Sequence, residues 1–372
     1  MSFNRLYIHV PFCESKCAYC AFYSETNASE DLILAYFRRL EEEFMENSEE
    51  CAELDSIFIG GGTPNLLSAA NLAELFRLIS ANFAISSSAE ISIECNPELM
   101  TPEKAEIIAK FANRVSVGIQ SFSCESRRII GRRGNVETVF RCIEILKDAG
   151  ITNIGCDLIY SIPNQSTDQW RDELEKAVTL GVKHISAYSL TYEEGTHLSA
   201  KYADSVNPEK AAEIESEMWK LAETTLKNAN IARYEVSNYA VPGFECRHNL
   251  EIWYGDTYLG CGPAAASFDG TERYTNPSDL QKWLDGVPPE RDIISKKERA
   301  SEILVMGLRT SQGWNIAKFA QRTGFTIETW SDKFSELMQS NLIQRTEKSI
   351  RLTPKGLLLW DSVAEEILTL PR

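Results

Sequence analysis

The sequence predicts an α/β fold, in which a partial (β/α)6 barrel is followed by a C-terminal, mostly helical and winged-helix-like module. Two observations predict the barrel. Short β-branched runs alternate with longer amphipathic stretches from residue 5 to about residue 190, a pattern typical of βα units and a parallel sheet. Six of these runs have the length of a strand, namely 5–10, 56–61, 90–95, 114–121, 153–160 and 184–190. A third observation, the pattern of helix, β-wing and helix at the end of the chain, predicts the module.

The helices between the strands have recognisable first turns. Residues 29–47 and 101–113 are amphipathic, and Thr101 and Pro102 suit the cap and the first turn of the second helix. A long helical pattern at 208–230 follows the last predicted barrel strand. The sequence therefore predicts three regions: a barrel domain at 1–235, an aromatic-rich connecting region at 236–290 and the winged-helix-like module at 291–372.

The composition limits the partners and the location of the chain. Lys and Arg number 38 against 54 Asp and Glu, so the formal net charge is −16. A chain this acidic is repelled at long range by nucleic acid and by anionic membrane surfaces, and we expect neither as a partner. No apolar run approaches the ~20 residues that span a bilayer, and the first residues lack the apolar stretch of a signal peptide. We therefore expect a cytoplasmic protein.

Three of the ten cysteines, Cys13, Cys17 and Cys20, lie within eight residues directly after the first predicted strand. In a reducing compartment such clustering indicates metal binding rather than a disulfide framework. Three thiolates on a cubane of four irons leave the fourth iron open to the amino and carboxylate groups of S-adenosylmethionine (SAM). The alternatives are a zinc site or three unrelated cysteines. Structural zinc usually takes four ligands in paired spacings, and no second pair lies nearby.

Short motifs follow one another along nearly the whole chain in the order of a known family. They include YIHVPFCESKCAYCAF, FIGGGTPNLL, IECNPE, VSVGIQSF, CDLIYSIPNQ, HISAYSLTYEEGT and CRHNLEIW. In these motifs the chain resembles the radical SAM superfamily, within it the branch of oxygen-independent coproporphyrinogen III oxidase, and most closely the HemW heme chaperones. The resemblance implies a partial barrel of the radical SAM type and a 4Fe–4S cluster held by Cys13, Cys17 and Cys20.

The resemblance also implies a SAM pocket at the carboxyl ends of the strands. The glycines of residues 60–64, GGGTP, let backbone groups approach a ligand, although the run alone is also typical of a tight turn. Glu94 suits ribose hydroxyls, with a strand-end cap as the alternative. The planar fork of Arg132 suits a carboxylate. By resemblance, the residues that bind SAM are Tyr7, Tyr19, Gly61, Gly62, Thr63, Glu94, Gln120, Arg132 and Asp157.

Some copies of this pocket hold a second SAM, and the chain departs from the family pattern near that position. It has Gly134 where the family often has His, and Ser161 and Asn164 in a segment where the family usually has Gly. The sequence leaves open whether a second SAM binds.

Two departures from the oxidase favour a heme chaperone. The oxidase typically carries a further cysteine where this chain has Phe22. It also has a long N-terminal extension, whereas twelve residues precede Cys13 here. The expected function is therefore that of a heme chaperone and not that of the oxidase.

A match to a heme-binding motif is further evidence for a heme chaperone. His248, Asn249 and Trp253 match the H-N-x-x-Y-W motif of the heme chaperones, with Ile252 in place of Tyr. A neutral imidazole can ligate heme iron, so the resemblance implies that His248 binds heme. A lone histidine in an aromatic loop is more often structural, and the thiolate of Cys246 is an alternative iron ligand.

We therefore predict a radical SAM 4Fe–4S protein that binds heme and transfers it to an acceptor protein. The predicted cofactors are the cluster, SAM and heme. The predicted partners are heme as cargo, an acceptor protein that the sequence does not identify, and an electron donor such as a flavodoxin or ferredoxin. The alternative is oxygen-independent coproporphyrinogen III oxidase, or another radical SAM enzyme that uses a 5′-deoxyadenosyl radical.

Overall fold

The computed structural model describes residues 2–205 and 207–369. Its largest element is a sheet of nine strands. In chain order these strands are β1 Phe3–Val10, β2 Cys51–Gly61, β3 Ile85–Cys95, β4 Arg114–Gln120, β5 Ile154–Tyr160, β6 His184–Ser189, β7 Ala232–Arg233, β8 Asn238–Ala240 and β9 Leu259–Cys261. Strands β1 to β6 lie side by side in chain order and are all parallel, as βα units require.

Three short strands extend this sheet at its two edges. Strand β9 is parallel to β1, whereas β8 is antiparallel to both β6 and β7. Because β9 and β7 are the edge strands, the sheet does not close within the described residues. The predicted partial (β/α)6 barrel is confirmed. The edge strands were not predicted, because two or three residues are too few to show a period of two.

Helices follow the barrel strands, and the sequence caps them as expected. Ser29 accepts a hydrogen bond from the N–H of Leu32 at the start of the first helix, and Thr101 caps the third helix with Pro102 in its first turn. The first ten helices are α1 Glu30–Asn47, α2 Ala69–Asn82, α3 Pro102–Phe111, α4 Cys124–Ile129, α5 Val136–Asp148, α6 Thr167–Thr179, α7 His197–Tyr202, α8 Pro208–Asn228, α9 Arg247–Trp253 and α10 Leu280–Leu284.

Short elements connect these helices and strands. Residues Phe12–Cys13 and Glu25–Thr26 form a short parallel pair on either side of the cysteine segment. Single turns of 3-10 helix lie at Ser48–Glu50, Pro64–Leu66, Pro97–Leu99, Ala203–Ser205 and Ile327–Trp330. A small antiparallel sheet in the connecting region consists of β10 Ala266–Phe268, β11 Arg273–Thr275 and β12 Glu290–Asp292.

The last part of the chain has the predicted winged-helix-like arrangement. Its strands are β13 Trp314–Asn315, β14 Ile343–Arg345 and β15 Ser349–Leu352, and its helices are α11 Lys296–Leu308, α12 Ile316–Thr323, α13 Ser331–Gln339, α14 Pro354–Leu358 and α15 Trp360–Leu368. Strands β14 and β15 form the wing, and β13 pairs with β15. An ion pair of 2.8 Å between Arg309 and the buried Glu235 connects this part to the barrel. No helix in the described residues is long and apolar enough to span a membrane.

Each barrel strand divides its side chains between two faces, because successive residues of a strand point to opposite sides. On β4, Val115, Val117 and Ile119 are fully buried in the apolar core. The alternate residues, from Arg114 to Gln120, line the barrel interior instead. The apolar core therefore lies on the outer face of the sheet, and the interior is left to polar side chains.

Candidate functional site

A cavity of about 670 Å³ occupies the barrel interior and extends to the carboxyl ends of the strands. All but one of the residues predicted for the cluster and for SAM lie on its wall. The exception is Tyr7, whose ring packs on Phe58 with the ring centroids 6.3 Å apart, and Phe58 itself lines the cavity. The predicted residues on the wall are Cys13, Cys17, Tyr19, Cys20, Gly61, Gly62, Thr63, Glu94, Gln120, Arg132 and Asp157.

The cysteine segment, residues 13–20, is tied to the barrel through its backbone. Ala18 donates its N–H to the carbonyl of Ile130 at 2.9 Å, and its own carbonyl accepts from the N–H of Leu198 at 2.8 Å. All three cysteines of the segment are free thiols on the wall of the same cavity. The fold therefore presents three thiols to one space.

The thiols have neighbours that suit ligands of a cluster. The Sγ of Cys13 lies 3.4 Å from the hydroxyl of Thr63, and Arg132 Nη1 lies 3.9 Å from the Sγ of Cys17. Burial raises the pKa of Cys20. Within the described residues, no group of three His, Cys, Asp or Glu side chains is placed to hold a single metal ion. In a cluster each thiolate binds a different iron, so the sulfur atoms need not converge on one point.

The turn after β2 requires glycine at two positions. Gly61 has a φ of +105°, and a Cβ there would lie 2.6 Å from the ring of His9. A Cβ on Gly62 would lie 2.8 Å from the carbonyl oxygens of Val10 and Phe12. Any side chain at these positions would push the ends of β1 and β2 apart.

The N–H groups of this turn are used within the protein. The N–H of Gly61 donates to Glu94 Oε2 at 3.2 Å, and the next two N–H groups donate to the carbonyls of Val10 at 2.8 Å and Phe12 at 2.7 Å. The turn can therefore serve a ligand through its carbonyl oxygens and its lack of side chains, and not through these N–H groups.

Two carboxyl groups of the cavity are shifted toward their protonated forms. Burial, together with the nearby Asp157, raises the pKa of Glu94 to about 8, and a hydrogen bond from the N–H of Gly61 opposes the rise. Burial also raises the pKa of Asp157, against a hydrogen bond of 3.2 Å from the hydroxyl of Ser116. Hydrogen bonds from the protein compensate in part for the loss of water at each group.

Arg132 and Gln120 meet at the carboxyl end of β4. Gln120 has a φ of +68°, which turns the strand end, and a Cβ on Gly118 would lie 3.1 Å from its Nε2 and 3.5 Å from Arg132 Nη2. Gly118 therefore leaves room for both side chains. Arg132 also lies 3.7 Å from Glu98, while its buried Nε has no hydrogen-bond partner among the described residues.

The cavity also includes residues that the sequence reasoning missed. Arg114, Ser116, His184 and Ser186 line it from positions before the carboxyl ends of their strands. Their sequences could have indicated this position. A buried parallel strand is normally apolar on both faces, but in RVSVGIQ and HISAYS every second residue is polar or small.

His248 lies in α9, but it is buried and does not line the cavity. Its Nδ1 is 2.8 Å from the hydroxyl of Ser56, and its ring packs on Phe58 with the centroids 5.4 Å apart. Burial, together with the charges of Arg5 and Arg114, lowers its pKa to about 3. The structure thus gives His248 the surroundings of a structural histidine.

The neighbours of His248 differ in their exposure to the cavity. Asn249 lines it, whereas Cys246 is buried with its Sγ 3.6 Å from Glu90. Burial raises the pKa of Cys246 to about 12, so its thiol is not prepared to act as a thiolate ligand.

Comparison with known proteins decides the family. The profile of the Radical SAM superfamily matches residues 7–177, and the profile of the HemN C-terminal domain matches residues 294–359. Heme chaperone HemW of Lactococcus lactis subsp. lactis is 32% identical, with 98% of this chain and 97% of that protein covered. The chain belongs to the radical SAM superfamily. Heme chaperone HemW of Bacillus subtilis is 31% identical over 96% of this radical SAM protein and 97% of its own length.

A solved structure shows the same fold over the whole chain. Coproporphyrinogen III oxidase HemN from Escherichia coli matches with a TM-score of 0.85 and covers 99% of this radical SAM protein and 91% of its own chain. At 22% sequence identity this likeness is a likeness of fold. Membership of the superfamily implies a 4Fe–4S cluster and SAM, and the three free thiols and the polar cavity fit both groups.

The raised pKa of Glu94 predicts a pH dependence of stability in the protein without ligands. Because the pKa is about 8 when folded and near 4.5 when unfolded, the stabilisation is present below pH 4.5 and is lost as the pH rises toward 8. Relative to Glu94→Gln, wild type should therefore lose free energy of unfolding across this interval. Urea unfolding at several pH values measures it. Glu53→Gln, at an exposed position, is the control, and parallel pH profiles for wild type and Glu94→Gln would contradict the assignment.

Proposed function

We propose that this radical SAM protein is a heme chaperone, which binds heme and passes it to an acceptor protein. The observation that carries the proposal is its full-length similarity to several proteins named heme chaperone HemW, with 32%, 31% and 30% identity to those of Lactococcus lactis, Bacillus subtilis and Haemophilus influenzae. The oxidase HemN shares the fold at lower identity, and fold alone does not transfer a function.

In this proposal Cys13, Cys17 and Cys20 each bind one iron of a 4Fe–4S cluster. With three cysteine ligands, the fourth iron of the cluster would have no protein ligand. The amino and carboxylate groups of SAM would bind to that iron. The support is that all three thiols are free and line one cavity, and that the guanidinium of Arg132 lies 3.9 Å from the Sγ of Cys17. The backbone ties at Ala18 hold the segment in place for this role.

The wall of the cavity offers the polar groups that SAM requires. The carboxyl of Glu94 can both donate to and accept from ribose hydroxyls, since its raised pKa keeps it largely protonated near neutral pH. Gly61 and Gly62 let the ligand approach the backbone, where carbonyl oxygens can accept hydrogen bonds from the amino group of SAM. We assign Thr63, Gln120, Asp157, Arg132, Tyr19 and, from behind Phe58, Tyr7 to the same pocket.

The proposed heme ligand, His248, is buried in the structure. His248 reaches heme iron only if α9 turns its buried face outward, because the ring now packs between Ser56 and Phe58. The acceptor protein, and an electron donor such as a flavodoxin or ferredoxin, complete the proposal as partners, and we place the protein in the cytoplasm.

The proposed function predicts heme binding without turnover. Protein with its cluster reconstituted anaerobically should bind heme stoichiometrically, because heme is its cargo, and should leave coproporphyrinogen III unchanged in the presence of SAM and a reductant. Absorbance titration measures the first property, and chromatography of the porphyrins measures the second. Formation of protoporphyrinogen by the same preparation would instead assign the oxidase function.

The role of His248 can be separated from its packing by two substitutions. If its ring ligates heme iron, His248→Ala should weaken heme binding by about tenfold or more, since a metal–ligand bond is lost. Ser56→Ala removes the hydrogen bond to Nδ1 but keeps the ring, and should not weaken heme binding. Absorbance titration of both variants, with thermal unfolding as a check of folding, provides the measurement.

His197→Ala is the matched control for this experiment, because His197 is exposed at the start of α7. Unchanged heme affinity in a folded His248→Ala protein would leave His248 with a structural role alone.

A further inference from the structure

The barrel interior contains a buried cation that no carboxylate contacts directly. Arg114 begins β4 and is 2% exposed, and its Nε has no hydrogen-bond partner among the described residues. No carboxylate oxygen of the described residues lies within 4.0 Å of its guanidinium nitrogens. A buried charge without a partner is strongly unfavourable, and it normally indicates an absent counter-ion or ligand.

A second unpartnered nitrogen lies beside this guanidinium. His184 is 2% exposed, and its Nδ1 has no hydrogen-bond partner among the described residues. Its Nε2 is 2.8 Å from the hydroxyl of Tyr234, which itself accepts from the N–H of Cys246 at 3.4 Å. The tyrosine proton is therefore free to go to Nε2, and this arrangement puts the ring hydrogen of His184 on the unpartnered Nδ1.

Both nitrogens adjoin the space that Gly155 leaves empty. A Cβ on Gly155 would lie 3.3 Å from His184 Nδ1 and 3.6 Å from Arg114 Nη2. One small atom in this space is thus within reach of both groups. Arg114 and His184 both line the cavity, so a ligand in the cavity can reach both side chains.

We propose that Arg114 and His184 bind the carboxylate of a ligand in the space beside Gly155. A guanidinium and an N–H donor match the two oxygens of a carboxylate. Glu90 and Asp157 offset part of the charge of Arg114, so the site favours a singly charged carboxylate over a polyanion. This site is separate from Arg132, which lies at the other end of β4.

The position of the site indicates the shape of its ligand. Gln120 lies six positions after Arg114 on β4, a distance of roughly 20 Å along the strand. A ligand held by its carboxylate beside Gly155 therefore extends its remaining part toward the thiol-lined end of the cavity. A free carboxylic acid and the propionate of a porphyrin share this chemistry, and the second source rests on the proposed heme function.

Acetate is the probe for the experiment, and acetamide is its neutral match. Acetate should raise the thermal midpoint of the full-length protein in a saturable way at constant ionic strength, because a ligand that binds the native state stabilises it. Acetamide and sulfate should not. Arg114→Met should weaken acetate binding by about tenfold or more, since the charged partner is lost. Without acetate, it should unfold at the same or a higher temperature than wild type, because the unpaired charge is gone.

Two further variants keep the experiment decisive. Gly155→Ala fills the space without removing either donor and should also abolish the effect of acetate, so a misfolded Arg114→Met protein does not end the test. Arg141→Met, at an exposed position on α5, should behave as wild type. Equal effects of acetate and acetamide, or an unchanged response in folded Gly155→Ala, would overturn the proposal.

Isothermal titration of acetate with and without bound heme shows whether the carboxylate belongs to a porphyrin propionate or to a free carboxylic acid. Competition would assign the site to a porphyrin propionate, and independent binding would assign it to a free carboxylic acid. Failure of heme binding alone removes only the porphyrin propionate as the ligand group, so it can be told apart from failure of the site.

Discussion

The alternation of side chains across the parallel barrel strands is the constraint on which the rest of the structure depends. On β4 the apolar residues Val115, Val117 and Ile119 face the helices, while Arg114 and its alternate neighbours face the interior. Because the period is two, a slip of one residue would exchange the two sets and place a guanidinium in the apolar core. The register therefore determines the core and the cavity together.

A polar interior is unfavourable unless its groups find partners. Some partners belong to the protein, as in the hydrogen bonds of Ser116 to Asp157 and of Ser56 to His248. Others are absent among the described residues, as at Arg132 Nε and at Arg114. The barrel thus has the interior of a ligand-binding protein rather than the packed interior of a closed barrel of this size. Its thiol segment and glycine turn lie at the end of that cavity where the strands of α/β proteins usually bind ligands.

Much of this arrangement could be predicted from the sequence, and the remainder has a physical reason. The six barrel strands and the cysteine and glycine motifs are local patterns, and local patterns are visible in a sequence. The positions of Tyr7 and His248 are not local, because Phe58 of β2 lies against both rings and lines the cavity in their place. The register between neighbouring strands decides which side chain lies between a given ring and the cavity. The sequence of one segment alone does not determine that register. The sequence analysis gave no ligand role to Arg114 or His184, because ligand groups were sought only at the carboxyl ends of the strands.

The central claim is that three thiols hold a cluster with one iron open to SAM. Electron paramagnetic resonance of the reduced, reconstituted protein, recorded with and without SAM, tests this claim most directly. We predict the spectrum of a reduced 4Fe–4S cluster, a change of that spectrum when SAM is added, its loss in Cys17→Ser and its retention in Cys124→Ser, whose cysteine is exposed on α4. A spectrum that SAM does not alter, or one that Cys17→Ser retains unchanged, would contradict the account.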